Sequence, residues 1–143
     1  MTELLKLDEK LLSLPGFFVS IPEVMAVILF GSYGTENQTP LSDIDFAVLF
    51  NKEQNLSEEM VFLSKLSDAL GTDRVDLVNL NKAPINIQFK AISQGKIIYE
   101  RDYVSTCDYI EKVINFYQDY AIDLHNFYRE YDEALKEAYS GGR

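Results

Sequence analysis

Hydrophobic positions along the chain follow two different periods, and together they predict helices and strands in mixed order. Apolar residues spaced by three and four predict helices over residues 3–14, 55–70, 84–94 and 102–139. Apolar runs, or alternation with period two, predict strands over residues 24–30, 44–50, 75–80 and 96–100. The last strand is short, and we expect it at an edge. This order predicts a small α/β domain with a mixed sheet, closed by a C-terminal helix or helix pair.

Local signals predict where two of the helices begin and end. Pro15 and Gly16 are expected to end the first helix. Asn55 and Glu58 have the spacing of a capping box at the start of the second, and Gly71 stands where a C-cap is expected. The side chains of the second helix expected to face the core are Leu56, Met60, Leu63 and Leu70.

Composition narrows the classes of function. A length of 143 residues favours one domain, and 13 basic against 23 acidic residues give a net charge of −10. Clustered cations are needed to bind nucleic-acid phosphates or anionic membranes, so direct contact with either is disfavoured. Cys107 is the single cysteine, which excludes an internal disulfide. With no signal peptide or membrane-spanning run in the sequence, we expect a cytoplasmic protein.

The segment between the first two strands carries the candidate chemistry. Gly31 and Ser32 directly follow the first strand, and Asp43 and Asp45 come at the start of the second. Residues two apart on a strand project to the same face, so both carboxylates are expected side by side. Neighbouring carboxylates repel unless a cation neutralises them, and oxygen ligands of this kind suit Mg²⁺ or Mn²⁺.

The same segment can also hold phosphate. Gly31 allows a close approach of the backbone, and Ser32 offers a hydroxyl and an N–H at the start of a predicted short helix. Asp76, on the third strand, is the candidate third carboxylate, either as a ligand of a second metal or as the acceptor of a proton. A phosphate-binding segment beside a metal site is typical of enzymes that catalyse phosphoryl or nucleotidyl transfer.

These residues resemble the minimal nucleotidyltransferases of the DNA polymerase β superfamily. The signature of that group is Gly-Ser, ten residues, then Asp-x-Asp, which Gly31, Ser32, Asp43 and Asp45 match without a gap. Asp76 matches its third carboxylate, and the resemblance covers about residues 20–100. The resemblance implies a polymerase β-like fold, with residues 1–100 as the catalytic domain and residues 101–143 as a helical extension of the same unit.

Within the superfamily, the short chain and the sequence DRVDLVNL followed by GKIIYERD resemble the antitoxins of HEPN–MNT toxin–antitoxin pairs. The resemblance implies transfer of AMP from ATP, with Mg²⁺ or Mn²⁺, to a tyrosine of a HEPN ribonuclease toxin that binds the chain as a hetero-oligomer. It implies catalytic and metal-binding roles for Asp43, Asp45 and Asp76, and nucleotide binding by Gly31 and Ser32. The alternatives are a non-catalytic antitoxin that acts by binding, and a nucleotidyltransferase that modifies a small molecule such as an antibiotic.

One feature departs from this pattern. Many relatives have Ala-Arg-Gly in the turn where this chain has residues 34–36, Gly-Thr-Glu, so a local cation for the triphosphate is missing. The cations that could replace it are Lys52, Arg74 and Lys82.

The C-terminal helix is rich in tyrosine and acidic residues. Seven of the nine tyrosines and eight acidic residues lie from Tyr103 onward, against four basic residues. We expect Tyr117, Tyr128 and Tyr131 to pack on the core. Four aromatic residues lie partly off that stripe and suggest an interface with a basic partner; they are Tyr109, Phe116, Tyr120 and Phe127.

Overall fold

The computed structural model describes residues 8–30 and 44–140, which form helices and strands in the predicted order. The helices are α1 (Asp8–Val19), α2 (Leu56–Leu70), α3 (Ile85–Gln94) and α4 (Tyr103–Ser140). The strands are β1 (Val24–Phe30), β2 (Ile44–Phe50), β3 (Val75–Asn79) and β4 (Lys96–Glu100). The C-terminal region is a single helix rather than a helix pair.

The four strands of the described part form one mixed sheet in the order β3-β2-β1-β4. β1 is antiparallel to both β2 and β4, whereas β2 and β3 are parallel. The mixed sheet and the edge position of β4 are therefore confirmed. One end of this sheet, here called the proximal end, is where β1 ends and where β2, β3 and β4 begin.

Alternation along β2 directs its side chains into two separate cores. Ile44, Phe46, Val48 and Phe50 are buried with residues of α1 and α2, as period two predicts. Ala47 is buried on the other face, in a cluster that includes Ala91 of α3 and contacts Tyr109 of α4. The sheet is thus the middle layer, with α1 and α2 on one face and α3 and α4 on the other.

The expected end of α1 at Pro15 and Gly16 is wrong, because the helix continues to Val19. A proline inside a helix removes one backbone hydrogen bond. Here burial outweighs that loss, since Leu14 and Phe18, one helical turn apart, are both in the core. Arg101 stabilises the end of the helix by hydrogen bonds. Its Nη2 donates to the carbonyl oxygen of Val19 at 3.3 Å and to that of Ile21 at 2.9 Å.

The predicted ends of α2 are confirmed, but its predicted core face is wrong in part. Asn55 and Glu58 form the complete capping box, and Gly71 has the left-handed conformation with φ of 72°. Leu63 is half-buried and Leu70 is buried, but Leu56 and Met60 are exposed. The buried side chains of α2 are Phe62, Leu66 and Leu70.

Phe62 determines how α2 lies on the sheet. Its ring packs edge-on against that of Phe50, with 5.5 Å between centroids, and stacks at 6.4 Å on that of Phe18. Packing this large ring rotates Leu56 and Met60 away from the core.

α4 packs on the domain only through its first half. Val113 is buried, Tyr109 donates a 2.8 Å hydrogen bond to Oε1 of Gln88, and Tyr117 stacks on Phe89 with centroids 3.8 Å apart. Burial raises the pKa of Tyr109, so its hydroxyl keeps the proton it donates. Tyr109 is therefore part of the core rather than of a free surface.

The expectation that Tyr128 and Tyr131 pack on the core is wrong, because both are exposed. A helix of 38 residues is about 57 Å long, whereas the 10 residues of α3 span about 15 Å, so α3 cannot cover α4 along its whole length. Within the described residues, no helix is both long and apolar enough to cross a membrane.

Two glycines give opposite predictions for stability. A Cβ at Gly95 would collide with the carbonyl oxygen of Ala91 and with Cγ2 of Ile28, whereas a Cβ at Gly16, inside α1, meets nothing within 4 Å. We expect Gly95→Ala to lower the free energy of unfolding by about 1–3 kcal/mol. Gly16→Ala should raise it by about 0.5–1 kcal/mol, because alanine loses less backbone entropy in a helix.

Urea denaturation of the wild type and of both variants measures the two effects. A Gly95→Ala variant as stable as the wild type would show that α3 and β1 are not in this close contact.

Candidate functional site

β2 places one of the predicted carboxylates between two neighbouring strands at the proximal end. Asp45 pairs in register with Phe30, the last residue of β1. On its other side Asp45 pairs with Asp76 of β3. The structure therefore sets Asp76 on the strand next to that of Asp45.

The two carboxylates lie on the same face of the sheet. Residues paired in register on adjacent strands project to the same side, and neighbouring strands are about 4.8 Å apart. This is the face of Ala47 and Val78, which carries α3 and α4. Asp45 is half-buried and Asp76 is exposed. One carboxylate is thus held within the fold, while the other is open to an approaching molecule.

The remaining predicted site residues, Gly31, Ser32 and Asp43, lie outside the described residues, as do residues 34–36. In the sequence Gly31 follows Phe30 and Asp43 precedes Ile44. Both of these described neighbours are at the proximal end.

The described donors fit a hard divalent cation. Asp45 and Asp76 are directly opposite each other, and like charges in that arrangement destabilise a sheet unless a cation lies between them. Carboxylate oxygens are the ligands that Mg²⁺ and Mn²⁺ prefer. Among the described residues no group of three or more acidic, histidine or cysteine side chains could hold a metal. Asp45 and Asp76 are therefore the two predicted metal ligands whose positions the structure gives.

Two of the three cations suggested for the triphosphate are at the wrong end of the sheet. Lys52 follows the end of β2, and its Nζ lies 3.8 Å from a carboxylate oxygen of Glu23. Lys82 follows the end of β3, and its Nζ lies 3.5 Å from a carboxylate oxygen of Glu59. β2 runs five residues beyond Asp45, a distance of about 17 Å, and Lys52 comes two residues after its end.

Arg74 is the suggested cation that lies at the proximal end. Its carbonyl oxygen accepts a 2.9 Å hydrogen bond from the backbone N–H of Ile44, so the chain at Arg74 runs beside the start of β2. Arg74 directly precedes β3 and comes two residues before Asp76 in the chain.

Sequence reasoning missed a second cation at the proximal end. Lys96, the first residue of β4, pairs with Leu29. Leu29 packs against the α1 and α2 core, so Lys96 belongs to the face opposite the carboxylates. The antiparallel pairing of β4 with β1, which the sequence did not show, is what brings Lys96 to this end.

The sequence matches the protein family described as polymerase beta, nucleotidyltransferase over residues 14–104. A curated relative named protein adenylyltransferase MntA, from Shewanella oneidensis, is 36% identical over 80 residues. The match covers 56% of this chain and 57% of the relative, so the chain spans less than two thirds of that protein.

Two solved structures resemble most of the chain. One, described as a toxin–antitoxin with AMP-PNP, is 28% identical with a TM-score of 0.69, and the match covers 86% of this chain and 96% of that one. The other, described as a tri-AMPylated Shewanella oneidensis HEPN toxin in complex with MNT antitoxin, is 25% identical with a TM-score of 0.68. Its match covers 87% of this chain and 98% of that one. These similarities confirm the expected polymerase β-like fold.

The facing carboxylates predict a stability that depends on Mg²⁺. Without divalent ions, Asp76→Asn should melt at a higher temperature than the wild type, because it removes repulsion from Asp45. Saturating Mg²⁺ should raise the melting temperature of the wild type more than that of the variant, since a ligand stabilises the state that binds it.

Thermal melting followed by circular dichroism, with and without Mg²⁺, measures both effects. Asp68→Asn, on the exposed side of α2, is the matched control and should respond to Mg²⁺ like the wild type. An equal response of the Asp76→Asn variant would contradict a metal site at this pair.

Proposed function

The chain belongs to the polymerase β nucleotidyltransferase family, and from that premise we propose that it transfers AMP from ATP to a hydroxyl group of a protein. The observation that carries this proposal is the register of β2, which sets Asp45 opposite Asp76 and beside the last residue of β1. The Gly31-Ser32 pair follows that residue in the sequence. A carboxylate pair beside a strand whose sequence continues into Gly-Ser supports metal-assisted nucleotidyl transfer.

Each part of the site has a role in this reaction. Asp43 and Asp45 would hold Mg²⁺ or Mn²⁺, with Asp76 either as a further ligand or as the base, while Gly31 and Ser32 bind the phosphates of ATP through backbone N–H groups and the serine hydroxyl. A bound divalent ion would supply charge neutralisation at the phosphate oxygens. The half-burial of Asp45 supports its role as a fixed ligand.

The transfer itself is a substitution at phosphorus. The oxygen of the acceptor hydroxyl forms a bond to the α-phosphorus of ATP, the bond from that phosphorus to the bridging oxygen breaks, and pyrophosphate leaves. The hydroxyl proton must go to a base. Asp76 is exposed on the same face as Asp45, which supports it as the group that accepts this proton.

The proposed acceptor is a tyrosine of a HEPN ribonuclease toxin. The names of the relatives support this: one is a protein adenylyltransferase, and a similar structure contains an AMPylated HEPN toxin. The net charge of −10 agrees with a protein acceptor rather than a nucleic acid. By inactivating the toxin through this modification, the chain acts as an antitoxin. We place it in the cytoplasm, where ATP is available.

We further propose that residues 1–100 form the catalytic domain and that residues 101–143 are an extension of the same structural unit. The contacts of Tyr109 and Tyr117 with α3 support this division, because they attach the first half of α4 to the α3 side of the sheet.

Labelled ATP tests the proposed activity. With Mg²⁺ and the proposed HEPN ribonuclease acceptor, the wild type should transfer label from the α-phosphate to the ribonuclease. Asp45→Asn should reduce the rate roughly 100-fold or more, because loss of a metal ligand removes several kcal/mol of transition-state stabilisation.

Asp68→Asn is again the control and should transfer label at the wild-type rate. Absence of label with the wild type would overturn the proposed activity. If the ribonuclease is nevertheless inhibited, and Asp45→Asn inhibits it equally well, the chain is a non-catalytic antitoxin that acts by binding.

Arg74 is the residue that we propose as the cation for the triphosphate. Arg74→Ala should raise the KM for ATP about tenfold, since a hydrogen bond to a charged group contributes about 1.5–3 kcal/mol. Lys96→Ala is the matched control, because it removes a cation from the same end of the sheet but on the face opposite the carboxylates. Equal effects of the two variants on KM would contradict a specific role for Arg74.

A further inference from the structure

One apolar stripe runs along the whole of α4. With about 100° between successive residues, the buried residues Thr106 and Val113 and the exposed residues Tyr120, Phe127 and Tyr131 project to the same side of the helix. The first half of the stripe is covered by α3. The second half continues this surface beyond the end of α3, and no other described helix or strand covers it.

The uncovered half, here called the arm stripe, consists of Tyr120, Leu124, Phe127, Tyr128, Tyr131 and Leu135, all of them exposed. It lies on about 16 residues of helix, a length of about 24 Å. Isolated apolar residues on a surface are ordinary, but a contiguous patch of this size marks an interaction site.

The rings of the arm stripe support one another. Phe127 stacks on Tyr131 with centroids 6.4 Å apart, and it meets Tyr128 edge-on at 5.7 Å. Tyr120 is 6.1 Å from Tyr117, which is itself stacked on Phe89 of α3. Aromatic side chains held in this way lose little conformational entropy when a partner covers them.

Acidic residues border the arm stripe along one edge. Asp123 and Glu130 lie within about 60° of Phe127 around the helix axis, on the side away from Leu135. The cations of this part of the helix, Arg129 and Lys136, are on the opposite side of the helix from the stripe. The surface is therefore an aromatic strip with an acidic border.

We propose that the arm stripe is the docking surface for a helix of the acceptor protein, one that carries an apolar strip bordered by Lys or Arg. The acidic border selects such a partner by charge complementarity. The inference rests on the proposed function in taking the partner to be the acceptor. α4 is attached through α3 to the face of the sheet that carries Asp45 and Asp76, so a protein held by the arm is held on the side of the carboxylates.

Charge argues against a second copy of this chain as the occupant. In an antiparallel pair of α4 helices the same edge of each stripe faces its counterpart, so Asp123 and Glu130 would meet acidic residues of the other copy. Among the described residues of α4, no lysine or arginine lies on either edge of the arm stripe to offset this repulsion.

Affinity for the proposed HEPN ribonuclease acceptor, measured by isothermal titration calorimetry, tests the inference. The variant Phe127→Ala/Tyr131→Ala should raise Kd at least 30-fold, because buried aromatic anchors dominate interface energetics. The matched control is Ile122→Ala. Ile122 is 59% exposed, as is Phe127, but projects from the opposite side of the helix, so its loss should change Kd less than twofold.

A charge-reversal pair tests the acidic border. Asp123→Lys/Glu130→Lys should weaken binding at least tenfold at low salt, with a smaller effect at high salt. Glu111→Lys/Glu133→Lys changes the net charge equally but on the opposite side of α4, and should leave Kd within about twofold of the wild type. Because all these side chains are exposed, every variant should keep the melting temperature of the wild type.

The outcomes separate this inference from the proposed activity. Wild-type affinity of the Phe127→Ala/Tyr131→Ala variant would overturn the docking surface, even if AMP transfer occurs. A wild type that binds through the arm stripe but transfers no AMP would overturn the activity and leave the surface in place. If the Phe127→Ala/Tyr131→Ala variant instead abolishes a dimer of this chain, seen by analytical ultracentrifugation, the occupant is a second copy and the inference is wrong.

Discussion

The register of β2 is the constraint on which the rest of the molecule depends. β2 is antiparallel to β1 and parallel to β3, so its first residues lie beside the end of one strand and the start of the other. The same strand divides its side chains between two cores. A shift of one residue would move Phe46 out of the core and turn Asp45 to the wrong face. The packing that stabilises the domain therefore also fixes the carboxylate that the proposed chemistry needs.

The two faces of the sheet have different tasks. The face under α1 and α2 holds the larger core, in which Phe18, Phe50 and Phe62 pack together. The other face carries a smaller core under α3, and at its proximal end it carries Asp45 and Asp76. α4 is attached to this second face and extends beyond it. Catalysis and recognition of the acceptor are in this way proposed for one side of the molecule, while the opposite side provides stability.

Local sequence signals were reliable where short-range physics decides the structure. The capping box of Asn55 and Glu58 and the left-handed Gly71 depend on hydrogen bonds and backbone angles within a few residues, and both are as predicted. The expectations for Pro15 and Met60 were wrong because distant contacts decided them. Leu14 and Phe18 keep α1 helical past its proline, and the ring of Phe62 sets the rotation of α2. A single-sequence pattern contains neither contact.

The sequence by itself determined the order of the elements, the apolar face of β2 with period two, the family resemblance and the presence of three candidate carboxylates. Only the tertiary structure decided which strands are neighbours, because strand pairing depends on contacts far apart in the chain. That pairing set Asp45 opposite Asp76, separated Arg74 from Lys52 and Lys82, and brought Lys96 to the same end on the other face. It also decided how far α4 is covered. The periodicity of α4 shows an apolar stripe, but the short length of α3 determines where that stripe stops being core and becomes surface.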